Sequence, residues 1–411
     1  MSGIIKGIVL GDKSYIEEDI QENFRISGIS HILAVSGMHV SYIILVINLI
    51  FKKNFGKRKT NLIIILFLIF YMFFTGFSPS IVRASVMSFL ILGAELFHRK
   101  NDFATSISLS LLIILIYNPF LIKNIGLQFS YIATIGIIIL QDNVKKFIKS
   151  IKIKNKKWKY RLNIRTLKII SKIQDILAIT LSAQISIFPI MIYHFNMFGT
   201  YFLISNLLIS VIIGPILIIS IITIILNFIF NPIAKITSYA LSFLINIFIY
   251  ISNISNFPFS KFYLATPNFL SIILYYIIVV LFNFLYILYN SKKLNATIIR
   301  FKNLIALIKY KFILNRKRFF RLIIIIFLIF IIFKLIPKNI EINFVDVAQG
   351  DCTFIVTPFG KTILIDGGGS KSNDFDVGKN TLIPYILDKG YTKIDYMIIS
   401  HFDQDHVRAA Y

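Results

Sequence analysis

Cysteine is almost absent from this chain, and so are several short functional signals. Cys352 is the single cysteine in 411 residues. It excludes an intramolecular disulfide and a four-cysteine zinc site, so any metal must be held by His and carboxylate groups. No phosphate-binding GxxxxGK[ST] loop occurs, so the energy for any transport comes from elsewhere. The first 25 residues read as polar and acidic, without the apolar core of a signal peptide.

Apolar residues, in contrast, are abundant enough to define the class of protein. Hydrophobic residues make up 56% of the chain and 40 residues are Phe, which exceeds the content of a soluble domain. A helix needs about 20 apolar residues to cross a bilayer. The predicted fold is a polytopic α-helical membrane protein with about ten spans. These are His31 to Phe51, Leu62 to Phe77, Ser80 to Phe97, Phe103 to Asn118, Ile122 to Leu140, Ile176 to Phe195, Thr200 to Phe230, Ile236 to Ser252, Asn268 to Asn290 and Phe319 to Ile336.

Basic residues outnumber acidic ones by 44 to 19 and are clustered in alternate loops. The clusters lie at 52–59, 98–100, 145–172 and 292–321. The positive-inside rule makes these loops cytoplasmic and places the residues after Ile336 outside the cytoplasm. The same parity predicts one kinked helix over 200–230, despite its length and Gly214-Pro215. Contact with DNA phosphates is a second reading of the basic charge, and both can hold.

The chain divides into five predicted parts. An acidic amphipathic segment, 1–30, is expected on the outer surface, followed by a transmembrane domain over 31–290. A basic cytoplasmic loop, 291–321, leads into the last membrane helix, 322–336. Residues 341–411 alternate short strands with glycine turns and one helix, and predict an extracytoplasmic α/β module.

A string of metal-ligand side chains follows the last predicted strand of this module. His401, Asp403, Asp405 and His406 lie within six residues. Such side chains can converge on one or two divalent ions after a strand. Four ligands in so short a segment rarely enclose a metal alone, and catalytic sites recruit others from distant loops.

Polar side chains also occur inside the apolar runs, where they are costly and usually face a cavity or another helix. They include His39, Arg83, Glu95 and Gln128. Arg83 and Glu95 are about 18 Å apart along one helix, so each is expected to meet a different span. Arg83 is the main candidate for contacting a phosphate in the membrane, and a structural ion pair is its alternative reading.

Two further features of these runs have more than one reading. Ser36-Gly37 serves close helix packing or a polar path equally well. His31 and His39 are eight residues apart and are expected on one helix face, where they would form hydrogen bonds to other helices. A metal is not expected there, because no third ligand is near.

Several strings resemble the ComEC/Rec2 family of DNA-internalisation competence proteins. In the membrane part these are Ile29 to Val40, Gly76 to Met87, Asn118-Pro119-Phe120 and Gly126 to Ser130. Near the end they are Phe344 to Asp351, Leu364 to Gly368 and His401 to His406, which resemble the opening of a metallo-β-lactamase-like domain. Ala348 stands where the family usually has glycine, and Arg408-Ala409-Ala410 replaces the usual paired glycines.

The resemblance implies uptake of single-stranded DNA through a channel in the bacterial cytoplasmic membrane. Its implied partners are membrane lipid, a competence DNA receptor, a cytoplasmic motor protein and further copies of the chain. Candidates for the DNA path are Ser36, His39, Arg83 and Gln128.

The resemblance also implies roles in the terminal module. His401 and Asp403 would bind one ion, zinc or manganese, and Asp405 and His406 the second, with Asp405 catalytic. Asp366, Asp346, Gln349 and Asp351 would brace these ligands. The chain is expected to be truncated at both ends and to lack a working nuclease. A membrane-tethered hydrolase acting on another substrate and a non-functional remnant are the alternatives.

Overall fold

The computed structural model describes residues 2–33, 35–99, 102–150, 163–290, 337, 339–347, 350–369, 376–401 and 403. The chain forms two compact units. The first comprises residues 1–191 and 197–262, and the second comprises 192–196 and 263–411. The basic loop 291–321 and the helix 322–336 lie outside the described residues.

Helices build the first unit. They are α1 (Ser2–Leu10), α2 (Glu18–Ile26), α3 (Ser30–Leu33), α4 (Gly37–Phe74), α5 (Pro79–Leu96), α6 (Phe103–Tyr117), α7 (Ile125–Ser150), α8 (Ile164–Phe195), α9 (Phe202–Ile229) and α10 (Asn231–Ser252). The end of α8 belongs to the second unit, and a short strand, β1 (Met197–Gly199), follows it and pairs with β2 (Lys261–Tyr263). Asp102 begins α6 by accepting a hydrogen bond from the Thr105 amide, 2.8 Å away.

Six described helices are long and apolar enough to cross a membrane: α5, α7, α8, α9, α10 and α11 (Phe269–Asn290). The predicted count of about ten is therefore not confirmed, although the chain is mostly helical as expected. The first two predicted spans form the two halves of α4, which is broken at Gly56 (φ 72°, ψ 170°) beside the basic cluster 52–59. Helix α9 is continuous through Pro215, so the region 200–230 is one helix, as the parity of the loops predicts.

The helix predicted to begin at His31 begins instead at Gly37. Helix α3 ends at Leu33, and Ser36 is extended (φ −129°, ψ 174°) where it caps α4. His31 and His39 therefore lie on different helices, and the expectation that they share one helix face is wrong. A serine followed by glycine favours a cap over continuous helix, which explains the break.

The core of the first unit joins the amino-terminal segment to later helices. Ile8, Phe24 and Ile29 are fully buried against Ile213 of α9 and Phe248 of α10. The segment predicted to lie on the outer surface thus contributes to this core. A second core cluster joins α4 to α5, and a third joins α5 to α6 and α7. Helix α5 consequently lies between α4 and α7, which positions Arg83.

The second unit contains α11 and a four-stranded sheet. The strands β3 (Glu341–Phe344), β4 (Thr353–Val356), β5 (Thr362–Ile365) and β6 (Tyr396–Ile398) follow in that order across the sheet. β3, β4 and β5 are antiparallel neighbours, whereas β6 is parallel to β5. A π-helical turn, Gly378–Leu382, leads into α12 (Ile383–Asp388), and Phe354, Leu364 and Ile386 form part of the core between helix and sheet.

Candidate functional site

Arg83 lies near the start of α5 and is 7% exposed. Its Nη1 donates a hydrogen bond to Thr134 Oγ1 of α7 at 2.8 Å, and its guanidinium carbon is 5.6 Å from the centroid of the Tyr131 ring. Among the described residues, no carboxylate lies within ion-pair distance of Arg83 and Nε has no hydrogen-bond partner. The guanidinium is therefore buried against neutral groups.

The amino-terminal end of α4 packs directly against Arg83. A β-carbon at position 37 would lie only 3.3 Å from Arg83 Nη2, so Gly37 gives the guanidinium room. The preceding Ser36 and the buried His39 form a capping box, in which the Ser36 amide donates to His39 Nδ1 at 3.1 Å. This bond lies within the end of α4 itself.

Gln128 lies at the start of α7, one turn and a half before Thr134. Its side-chain amide donates to the Ile122 carbonyl at 3.0 Å and so ties the turn 119–123 to the helix. The contacts of Gln128 therefore support a local structural role at the helix start. Of the four candidates for the DNA path, Arg83 and the Ser36–His39 cap are the ones that the packing of α4 on α5 brings together.

Glu95 lies at the opposite end of α5 and has its own partners. Asn61 Nδ2 donates to Glu95 Oε2 at 3.2 Å, and Lys57 Nζ lies 3.2 Å from the same oxygen. The prediction that Arg83 and Glu95 each meet another helix is confirmed. An ion pair between them is absent, so the structural ion-pair reading of Arg83 gains no support from the described residues.

The metal-ligand string begins at one edge of the four-stranded sheet. Because β5 and β6 are parallel, their carboxyl ends meet there, and Asp366 lies beside Ser400 and His401. The buried Asp366 carboxylate accepts hydrogen bonds from the Ser400 amide at 2.8 Å and the Ser400 hydroxyl at 2.7 Å. Its backbone is left-handed (φ 54°), a conformation that an aspartate tolerates better than most residues. Asp366 thus fixes the start of the string.

The next two ligand candidates are close enough to share an ion. Ser400 Oγ lies 2.9 Å from His401 Nδ1, and His401 Nε2 lies 3.5 Å from Asp403 Oδ2. Two ligands bound tetrahedrally at about 2.1 Å from one metal would be roughly 3.4 Å apart, so this pair fits such an ion. Among the described residues, no group of three or more His, Cys, Asp or Glu side chains is assembled around one point.

Only some of the other predicted ligands and bracing residues are among the described residues. Asp405, His406 and Gln349 lie outside the described residues. Asp346 and Asp351 lie in the loop between β3 and β4, and Asp351 directly precedes the buried Cys352. Burial, followed by the nearby Asp366 charge, raises the pKa of Cys352 to about 11. The thiol therefore stays protonated at neutral pH and behaves as a small apolar side chain.

Sequence reasoning missed the residues that hold Arg83 and Asp366 in place. Thr134 and Tyr131 lie about 50 positions after Arg83, and Ser400 lies 34 positions after Asp366. Ser130 and Thr134 form a polar pair at helical spacing within an apolar run, which is a weak signal for a helix contact. Nothing in that spacing identifies Arg83 as the partner.

Comparison with known proteins finds a family model for each of two parts of the chain. The family model of the competence protein matches residues 8–288, and that of the metallo-beta-lactamase superfamily matches residues 345–411. ComE operon protein 3 of Bacillus subtilis (strain 168) is 24% identical over 432 residues, which cover 100% of this chain and 49% of that protein. The chain therefore spans about half the length of this curated relative.

No solved structure matches the chain. The competence match alone covers more than half of the residues, and it includes the helices that surround Arg83. The apolar helices agree with a membrane location. The chain therefore belongs to the competence protein family of membrane proteins, the ComEC family, and carries a metallo-beta-lactamase-like region at its end.

Proposed function

We propose that this chain takes part in the uptake of DNA in natural competence, as a component of the membrane path for a single strand. The observation that carries the proposal is the buried Arg83 guanidinium, which faces a threonine hydroxyl and a tyrosine ring and has no carboxylate partner among the described residues. An uncompensated cation within a membrane is costly and typically marks an ion or substrate path.

The chemistry of Arg83 suits a phosphodiester. A guanidinium presents donors in a planar fork that matches two phosphate oxygens, and one of its nitrogens has no partner among the described side chains. Gly37 leaves space beside Nη2, where any larger residue would press on the guanidinium. The cap formed by Ser36 and His39 fixes the helix end that bears this glycine.

We propose that the terminal module lies outside the cytoplasm, next to the loop that joins α10 to α11. The distribution of loop charges supports an outer position for this loop by the positive-inside rule. The Thr266 amide donates to the Leu387 carbonyl at 3.0 Å, and the Thr266 hydroxyl donates to Asp388. Asn196 Nδ2 in turn donates to Thr266 Oγ1 at 2.7 Å. These bonds support an extracytoplasmic position for the module.

We propose that His401 and Asp403 would hold a divalent ion, zinc or manganese, with Asp366 and Ser400 orienting His401. A bound ion lowers the pKa of a water molecule enough to supply hydroxide for attack on a phosphodiester. Asp405 and His406 would serve the second ion. Since one short string rarely encloses a metal by itself, we propose that this chain alone does not hydrolyse DNA.

We also propose that a separate cytoplasmic motor protein drives the strand inward, because the sequence has no GxxxxGK[ST] loop. A competence DNA receptor would deliver the strand from outside, and further copies of the chain could complete the path.

The proposed function is tested by deleting the gene in its natural host and restoring it on a plasmid. We expect deletion to abolish entry of labelled DNA while surface binding of duplex DNA persists, and the restored gene to return entry. Undiminished entry after deletion would contradict the proposal. Metal-dependent cleavage of DNA by the purified chain would contradict only the proposed lack of hydrolysis.

The position of the module is tested with single cysteines. After Cys352→Ala removes the native thiol, we expect Asp388→Cys to react with a membrane-impermeant maleimide in intact cells, because the α12 end lies outside. Lys57→Cys, in a predicted cytoplasmic cluster, is the matched control and should react only after permeabilisation. A disulfide between Thr266→Cys and Asp388→Cys would support the contact between the loop and α12. Labelling of position 388 only in permeabilised cells would contradict the extracytoplasmic position of the module.

A further inference from the structure

A polar pocket lies between α4 and α5, beside the break at Gly56. Its volume is about 330 Å³, within the roughly 300–1,000 Å³ of small-ligand sites. The polar side chains that line it are Asn48, Lys52, Lys57, Asn61, Ser88 and Glu95. Because it is next to the basic cluster 52–59, the positive-inside rule places it at the cytoplasmic end of these helices. We call it the cytoplasmic pocket.

The charges of the cytoplasmic pocket favour an anion. Its lining contains two lysines and one carboxylate, and Glu95 is held between Lys57 Nζ and Asn61 Nδ2, each 3.2 Å from Oε2. The carboxylate thus occupies a place where a lysine and an amide converge on an oxygen. Lys52 forms no ion pair within 4 Å among the described residues. An incoming phosphate could therefore bind Lys52 directly and compete with Glu95 for Lys57.

Two aromatic residues stand next to these lysines in the sequence of α4: Phe51 directly precedes Lys52, and Phe55 lies two positions before Lys57. Phe51 and Phe55 are neighbours on α4, with ring centroids 5.8 Å apart, and Phe55 is 50% exposed. Proteins that bind single strands without sequence preference combine basic side chains along the backbone with aromatic rings on which bases stack. The side-chain amides of Asn48 and Asn61 add hydrogen-bond donors and acceptors to the lining of the pocket.

We propose that the cytoplasmic pocket binds a nucleotide of single-stranded DNA where the strand leaves the membrane, with Lys52 and Lys57 on the phosphodiester and Phe55 stacked on a base. The inference rests on the proposed function and deepens it by assigning a second contact to the strand, at the end of α5 opposite Arg83. Lipid head groups carry the same phosphodiester chemistry but have no base for Phe55 to stack on.

The test measures binding of a fluorescent oligo(dT) to the purified full chain in zwitterionic nanodiscs by anisotropy, over a range of salt concentrations. For Lys52→Gln with Lys57→Gln we expect about 10-fold weaker binding and a salt slope smaller by about 1.4, the value for two lost phosphate contacts on a single strand. Lys53→Gln with Lys59→Gln removes the same charge from the same cluster outside the pocket, and should weaken binding less than about 2-fold.

Two further variants distinguish DNA binding in the cytoplasmic pocket from non-specific electrostatic attraction to the basic cluster. Glu95→Gln should tighten oligo(dT) binding, since it removes the competing carboxylate, and Phe55→Leu should weaken binding without changing the salt slope. Equal losses in the two double-lysine variants would overturn the pocket while leaving the proposed function in place. Failure of the unaltered chain to bind oligo(dT) would overturn both.

A separate result would show that the pocket binds the phosphodiester of a lipid head group and not that of DNA. If Lys52→Gln with Lys57→Gln leaves oligo(dT) binding intact and instead reduces retention of phosphatidylglycerol by the purified chain, the pocket binds lipid and the DNA assignment is overturned. Melting temperature and yield, measured for every variant, identify one that is misfolded. In that event Glu95→Gln and Phe55→Leu decide the question.

Discussion

Arg83→Gln is expected to lower transformation frequency on the order of 100-fold, the loss typical of removing one partner from a buried charged contact. The variant keeps a polar side chain that can still bond Thr134 Oγ1, but it loses the positive charge and the planar fork. Entry of labelled DNA into the cytoplasm should fall in parallel, whereas binding of duplex DNA to the cell surface should not change. Colony counts and labelled-DNA uptake measure the two steps separately.

Matched variants separate a role in transport from one in folding. Ser85→Ala changes the same helix at a buried hydroxyl that has no hydrogen-bond partner among the described residues, so transformation should be unchanged. Arg83→Lys keeps the charge without the fork and should give an intermediate frequency. Normal transformation by Arg83→Gln, at normal abundance in the membrane, would refute the assignment of Arg83 to the path. A low melting temperature would reveal a purely structural role.

Gly136→Ala should destabilise the membrane unit by about 3 kcal/mol, at the upper end of the usual cost of overpacking. A β-carbon at position 136 of α7 would lie 1.8 Å from Ser186 Oγ and 2.3 Å from Ser186 Cβ of α8. Neither helix can accommodate the extra carbon without moving apart. The expected result is a lower melting temperature and a lower yield of folded chain in detergent.

Gly93 supplies the matched control for this substitution. It also lies in an apolar helix, α5, but a β-carbon there meets no atom within 4 Å. Gly93→Ala should therefore raise the melting temperature slightly, because alanine favours helix by about 1 kcal/mol over glycine. Ser186→Gly should restore the stability of Gly136→Ala. Equal effects of the two alanine substitutions would mean that α7 and α8 do not pack at Gly136.

Two strands of the terminal sheet, β4 and β5, show how much of a fold the alternation of apolar and polar residues predicts. The alternation in Thr353 to Thr357 and Lys361 to Ile365 predicts β4 and β5, and both strands form within one residue of those bounds. Phe354 and Leu364 face the core, whereas Ile355 and Ile363 share the opposite face with the exposed Ile342. The pairing of the strands thus places three isoleucines on the side of the sheet away from the core.

Contacts between distant segments were not predictable in the same way. The apolar run around Arg83 predicts that its side chain is buried inside the protein, because exposing a charge to lipid is costly. It does not predict that Thr134 is the hydrogen-bond partner of Arg83. The two residues are far apart in the sequence, and their spacing does not show which helix faces meet. The amino-terminal segment is a further example. Its acidic residues predict an outer position, but they do not predict that Ile4, Ile8 and Phe24 pack against α9 and α10.

The sequence by itself determined the class of protein, the positions of most helices and the strands of the terminal module. These follow from composition and short-range periodicity, which depend on local chain geometry. The tertiary structure alone decided that Arg83 has no carboxylate partner among the described residues, that Glu95 pairs with Lys57, and that Asp366 holds the start of the His401 string. Those facts depend on which side chains meet across helices and strands, and packing of the whole chain sets that choice.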